Sequence, residues 1–198
     1  MRGQAFTLEG IIAAGLVIAS VVFALQVTAV TPLSASTASQ HIENQQRAST
    51  IGLLASAEEE GALRQAVLYY NETSGQFHDS GETGFYTDTS NVTLTRLGRM
   101  LETHFGAAGV AFNVNFNYYS EGGLSRTARF IYQGVPSDNA VSASKTVTLY
   151  EGDHLVEANE TTDPSTTVSS GDIYITKATG SNAGLYNIVE VEVVVWRM

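Results

Sequence analysis

Between Gly10 and Val30 the chain runs for 21 residues without a charge, interrupted only by Ser20, Gln26 and Thr28. No other stretch restricts the fold as strongly, because a run this apolar must be kept from water along its length. Wound as an α-helix at ~1.5 Å per residue, it spans roughly 31 Å, the thickness of a bilayer's hydrocarbon core. Three roles suit such a segment: a secretion signal, a permanent anchor, or the packing spine of a filament. Signal cores usually run about 7–15 residues and end at a small-x-small site. "LSASTAS" at 33–39 has that composition, but the apolar run before it is too long, so a retained helix is expected. Only Arg2 and the chain amine precede the run, and the far flank carries no charge until Glu43. The positive-inside bias then keeps the N-terminus cytoplasmic and places the chain beyond Val30 outside. Glu9 falls where the first helical turn is expected, and there the macrodipole favours a carboxylate by ~0.3–1 kcal/mol.

The opening "RGQAFTLEG" resembles the start of a type IV prepilin, and in particular that of haloarchaeal pilin-like membrane-anchored proteins. The shared pattern is a short basic leader, then Phe-Thr-Leu, then a glutamate at the mouth of a hydrophobic helix. It covers about 30 of the 198 residues. The resemblance implies cleavage by a prepilin peptidase after Arg2-Gly3, with Gln4 carrying the new amine. It also implies a retained helix through which the subunit assembles, with Phe6, Glu9, Gly10 and Gly15 facing neighbours and Glu9 pairing with a neighbour's amine. Cleavage after Gly3 makes Glu9 the sixth mature residue, and cleavage after Ala5 makes it the fourth; the usual family position is the fifth. The partners implied are copies of the chain or related pilin-like subunits, the membrane and the peptidase.

Beyond the run, Thr31-Pro32 predicts a kink or stop, since proline removes a helical donor and biases its predecessor toward extended geometry. Residues 33–50 are small and polar and read as a helical stalk or a tether. Leu53, Leu54, Ala57, Leu63, Val67 and Tyr70 return at helical spacings, with Gly61 positioned to split the element. "NVTLTRLGRMLETHFG" places Leu94, Leu97, Leu101 and Phe105 on one face of a 3.6-residue period, with Asn91 as cap and Gly106 as stop. The stretch "TSGQFHDSGETGFYTDTS" between these helices reads as a loop or a weak hairpin. From Val110 the period becomes two: Phe112, Val114, Phe116 and Tyr118 alternate with Asn113, Asn115 and Asn117. "EGGL" predicts a turn into a returning strand, "SKTVTLYEGDHLVEA" a strand and a turn, and "IYITKA" a short strand. "TTDPSTTVSSGD" reads as linker. "YNIVEVEVVVWRM" closes the chain as a strand apolar on both faces at its distal end, which predicts a central position. The expected class is therefore α+β: an N-terminal hydrophobic helix, then an extracellular antiparallel sheet domain with one or two packed helices. The expected divisions are a leader and helix start at 1–9, a hydrophobic membrane or assembly helix at 10–30, a stalk or tether at 31–60, and a head domain at 61–198.

Charge and motifs narrow the function by exclusion. The formal net charge is −10, with eight Arg but only Lys145 and Lys177 as lysines. Such a surface repels phosphate backbones, so no nucleic-acid partner is expected. It also suits very high salt, where screening shortens repulsion to a few ångströms. There is no cysteine, which removes disulfides, thiolate metal sites and cysteine nucleophiles. His41, His78, His104 and His154 show no metal-ligand spacing. Glu151, Asp153 and Asp163 lie near turns but form no calcium loop. No nucleophile elbow, phosphate loop or dinucleotide fingerprint occurs. Neither an enzyme, a cofactor nor a metal is expected. Asn71, Asn91 and Asn159 each begin an Asn-x-Thr triplet, the acceptor pattern for N-glycosylation. The expected function is a structural subunit of a type IV pilus-like filament or pseudopilus at the cell surface. The alternative is a monomeric membrane-anchored module that binds through the loops of its β domain.

Overall fold

The period-two runs assemble into one antiparallel sheet, and the helical-period runs pack on its apolar face. The computed structural model describes residues 2–178 and 184–197, with side chains described outside 2–5 and 27–39. The chain is α+β: an apolar N-terminal helix is followed by short helices and antiparallel sheets. It divides into two compact units, 1–44 and 45–198.

Helix α1, Arg2–Glu59, supplies most of the first unit and the opening of the second. The expected stop at Thr31-Pro32 is not made, because the helix continues across it. A proline deletes only its own N–H from the ladder, and the i→i−4 bonds on either side can carry a helix onward. The part of the expected stalk from Gln45 onward belongs to the second unit, where Thr50, Leu53, Leu54 and Ala57 are buried.

Gly61 breaks the helix as its sequence suggests, adopting φ 73°, a left-handed conformation that glycine enters without a Cβ penalty. Helix α2, Ala62–Leu68, comes next with Ala62, Leu63, Ala66 and Val67 buried. The loop after it is a minimal hairpin, β1 (Tyr70–Asn71) with β2 (Gln76–Phe77). The single helix expected from Asn91 is two pieces: α3, Thr89–Val92, and α4, Arg96–His104. Asn91 therefore lies inside α3 and caps nothing; Thr95 caps α4, its Oγ1 accepting from Gly98 N at 3.2 Å. Thr93 and Thr95 are β-branched, and a threonine gains more as an N-cap than inside a helix. The left-handed residue after α4 is Gly109 (φ 68°) rather than Gly106. Leu97, Leu101 and Phe105 are buried as the period requires, with Leu94 half-buried ahead of α4.

The main sheet has strand order β4-β3-β8-β5, built from β3 (Val110–Tyr119), β4 (Ser125–Tyr132), β5 (Val141–Tyr150) and β8 (Leu185–Arg197). Strand β8 is central, as expected, paired with β3 through Val114↔Val193 and with β5 through Ala143↔Val193. Val189, Val191, Val193 and Val195 are fully buried against the helices. Each such side chain contributes roughly 1.5–3 kcal/mol over an exposed one. On the other face Trp196 is also buried, beside the turn at Gly134. Asn113 fixes that turn by donating to Gly134 O (2.9 Å) and accepting from Gln133 N (2.9 Å).

Two segments differ from their expected structure. Residues 162–167, expected as linker, form β7, which pairs with β6 (His154–Val156). Pro164 is tolerated because the ribbon's register shifts beside it, so its missing donor costs no ladder bond. "IYITKA" forms no strand; the chain bends at Tyr174 and Ile175. Instead Tyr118 and Tyr186 hydroxyls donate to Tyr174 O and Ile175 O (both 2.8 Å), and Asn187 Nδ2 donates to Thr176 O (2.8 Å). Side chains do there what a neighbouring strand would otherwise do, while Ile173 and Ile175 still reach the core.

Candidate membrane and assembly helix

Residues Phe6–Gln26 form a helical stretch of mean hydropathy 2.4, long and apolar enough to cross a membrane. None of this window is buried within the structure. Phe6 is 74 % exposed and Ile11 70 %. Its polar groups are few and mostly accounted for. Ser20 Oγ donates to Leu16 O (2.7 Å) and lies 3.0 Å from Val17 O, so its hydroxyl needs no outside partner. That back-bonding removes most of the penalty a hydroxyl would meet in an apolar medium.

Glu9 is the one acid in the segment and is exposed. It is not in the first turn as expected, because the helix begins at Arg2 and Glu9 lies two turns in. The macrodipole acts within the first turn, so it does not explain this residue. The backbone of Arg2, Gly3 and Gln4 is helical; their side chains lie outside the described residues.

At ~100° per residue, Phe6, Glu9 and Gly10 fall near one another, whereas Gly15 lies about 140° from Gly10. The two glycines therefore open different faces, each with nothing within 4 Å of an added Cβ. The same arithmetic reveals a pattern that hydropathy alone does not show. Gly10, Ala13, Ala14, Val17, Val21 and Ala24 recur at i, i+3, i+4, i+7, i+11 and i+14 on one side. Leu8, Ile11, Ile12, Ile18, Val22 and Phe23 occupy the other. Between Gly10 and Ala24 that strip, within about 60° of Gly10, holds nothing larger than valine, although Phe6 and Leu25 bracket it and Gly15 and Ala19 lie with the larger residues.

The second unit carries two notable clefts. One, of about 800 Å³, lies between residues 49–56 of α1 and helix α4, lined by Ser49, Gly52, Ser56, Arg99, Met100 and His104. In it, Ser49 Oγ and His104 Nε2 are 2.5 Å apart. The other, of about 550 Å³, is floored by Tyr70, Phe77 and Tyr174 and rimmed by Gln76, Phe85 and Arg129. Burial holds the Tyr70, Tyr118 and Tyr174 phenols above their ordinary range, so they stay protonated donors. Tyr69, beneath the neighbouring loops, is pushed up to about 12 by burial, with the Asp79 and Glu160 charges adding.

The remaining candidates are dispersed. His41 is exposed on α1; His78 Nε2 lies 3.0 Å from Val156 O. His154 Nδ1 is buried without a partner. Glu151 pairs with Lys177 (2.5 Å) and Asp153 with Arg64 (2.5 Å), while Asp163 accepts from Ser165 N at 2.7 Å. Among the described residues, no three metal-ligating side chains converge. Asn71 and Asn91 are half-buried in β1 and α3, whereas Asn159 is exposed in a turn.

A family model described as a family of unknown function, DUF7288, matches residues 2–195. No curated protein matches the chain, and no solved structure matches it. The match runs through the apolar helix and the sheet alike, so both units are parts of one family architecture. The chain belongs to this family.

Proposed function

We propose that this DUF7288 chain is a structural subunit of a type IV pilus-like filament or pseudopilus, inserted and assembled through residues 6–26. The observation that carries the reading is the exposed 21-residue apolar helix, along which a strip from Gly10 to Ala24 holds nothing larger than valine. Large apolar side chains suit acyl chains, and small ones let two helix backbones approach closely. The prepilin-like pattern of Arg2, Gly3, Gln4, Phe6 and Glu9 supports the same reading, as does a cysteine-free head whose sheet face carries Asn115, Asn117, Glu190 and Glu192 toward water. In this reading the head lies outside the cell and the helix stays dry among lipids or sister subunits.

Because the chain has no cysteine, single replacements report on neighbours without background. Ala14→Cys should cross-link native membranes or filaments into dimers under mild oxidation, and Ile12→Cys, about 160° away around the helix, should not. A monomeric anchored module predicts no specific cross-link from either position. That second reading draws on the aromatic cleft at Tyr70, Phe77 and Tyr174, which has the size and mixed lining of a ligand pocket. Equal cross-linking from both faces would sink the assembly reading.

A further inference from the structure

We infer that Asn159 is an N-glycan acceptor and that Asn91, which heads an identical type of triplet, is not. The inference rests on the proposed placement of the head outside the membrane. The donor class is a lipid-linked saccharide phosphate. The saccharide C1–O bond breaks, C1 bonds to Asn159 Nδ2, that nitrogen gives up a proton, and the lipid phosphate leaves with the electron pair.

The acceptor pattern is Asn-x-Ser/Thr, so the amide, the middle residue and the hydroxyl must be presented together. At Asn159 all three lie in a surface turn closed by Glu157 N to Thr161 O (2.9 Å). Asn159 and Thr161 are exposed. Thr161 donates to Asn159 Oδ1 through both its backbone N (3.0 Å) and Oγ1 (2.6 Å), which sets hydroxyl and carboxamide side by side. The middle residue, Glu160, holds φ 62°, a conformation unfavourable for a side chain. Its carboxylate meets Arg99 and Arg96 N, and its carbonyl accepts from Gln65 Nε2 at 3.1 Å. Drawing the triplet out relieves the backbone and breaks these polar contacts, but none of its three residues belongs to the apolar core.

Asn91 presents the opposite balance. It is half-buried inside α3, and the middle residue of its triplet, Val92, is fully buried. The hydroxyl of Thr93 points backward along the chain, donating to Ser90 O at 3.0 Å. Extending that triplet would unwind α3 and pull Val92 from the core. Asn71 is intermediate: half-buried, with Oδ1 accepting from Thr73 N (2.9 Å) and Ser74 N (3.2 Å).

The test is peptide mass analysis of the full chain purified from its source. Trypsin separates Asn159, within residues 146–177, from Asn71 and Asn91, both within 65–96. A saccharide increment on 146–177 that Asn159→Gln abolishes, with Asn91→Gln leaving the total mass increment unchanged, is the expected result. Protease treatment of intact cells separates the two ways of failing. A head that is digested while 146–177 is unmodified overturns this inference and leaves the filament reading standing. A head protected from protease overturns the placement and the inference together. An increment located on Asn91 overturns the accessibility argument.

Discussion

Glu160 Oε2 lies 2.6 Å from Arg99 Nη2, while Oε1 accepts the backbone N–H of Arg96 at 2.6 Å. One side chain thus ties the 157–161 turn to the first turn of α4, and its negative charge meets the positive end of that helix.

Removing it should cost more than a surface ion pair does. The pair alone is worth ~0–1 kcal/mol, and the charge-assisted bond to Arg96 N adds to it. Glu160→Ala is expected to destabilise by about 1–2 kcal/mol and lower Tm by roughly 3–6 °C in the detergent-solubilised full chain. Glu58→Ala, which breaks only the half-exposed pair with Lys145 at 2.7 Å, should change stability by less than about 0.5 kcal/mol. Equal effects from the two would mean the helix-start contact contributes nothing.

Two helical glycines should respond to alanine with opposite signs. At Gly98 an added Cβ would sit 1.7 Å from Val92 O and 3.1 Å from Thr95 Oγ1. The helix-propensity gain of up to ~1 kcal/mol is small beside the displacement of α3 that this clash demands. Gly98→Ala should lose about 2 kcal/mol or more. At Gly52 an added Cβ meets nothing within 4 Å, and Gly52→Ala should gain up to about 1 kcal/mol. Urea unfolding of both variants checks the pair; stabilisation by Gly98→Ala would refute the close packing of α3 on α4.

These glycines also mark what the sequence could and could not reveal. The sheet was legible because Phe112, Val114, Phe116 and the β8 valines alternate without a break, and one residue of slippage would move every one of them to water. The hydrophobic helix was legible from its length alone. The α3–α4 break was not, because Leu94, Leu97 and Leu101 keep a helical period across it while the Thr95 cap and the close approach of Gly98 to Val92 O set the offset. The 171–178 segment resembles a strand because Ile173 and Ile175 alternate correctly, yet its backbone is satisfied by Tyr118, Tyr186 and Asn187 from distant positions. Long-range side-chain bonds of that kind leave no local pattern.

Alkaline pH should unfold the second unit through its tyrosines. Burial raises the phenols of Tyr69, Tyr70, Tyr86, Tyr118, Tyr174 and Tyr186 in the folded state, that of Tyr69 to about 12. An unfolded chain releases those protons near pH ~10, so it binds fewer protons than the native state above that value. Stability from this source is complete below about pH 10 and is lost as pH rises through about 12 and beyond. Tyrosinate absorbance near 295 nm should therefore rise in step with loss of circular dichroism, with only the exposed phenols titrating first. A full tyrosine titration at about pH 10 in a still-folded protein would contradict the buried cluster.

The apolar helix offers the most direct test of where the chain resides. If residues 6–26 span a bilayer and stay attached, the wild-type protein should remain in the membrane pellet after alkaline carbonate extraction at full length, or short only by a brief leader. Ile18 is mid-segment and exposed, and an aspartate there adds ~2.5–3.5 kcal/mol to insertion. Ile18→Asp should shift most of the protein out of the carbonate-resistant fraction. Ser20→Ala should shift nothing, because the Ser20 hydroxyl is already satisfied by Leu16 O. A cleaved secretion signal gives a different pattern: wild-type protein released in soluble form and lacking the apolar run. Release of that kind would remove the anchor, and the small-residue face on it would have no neighbour to meet.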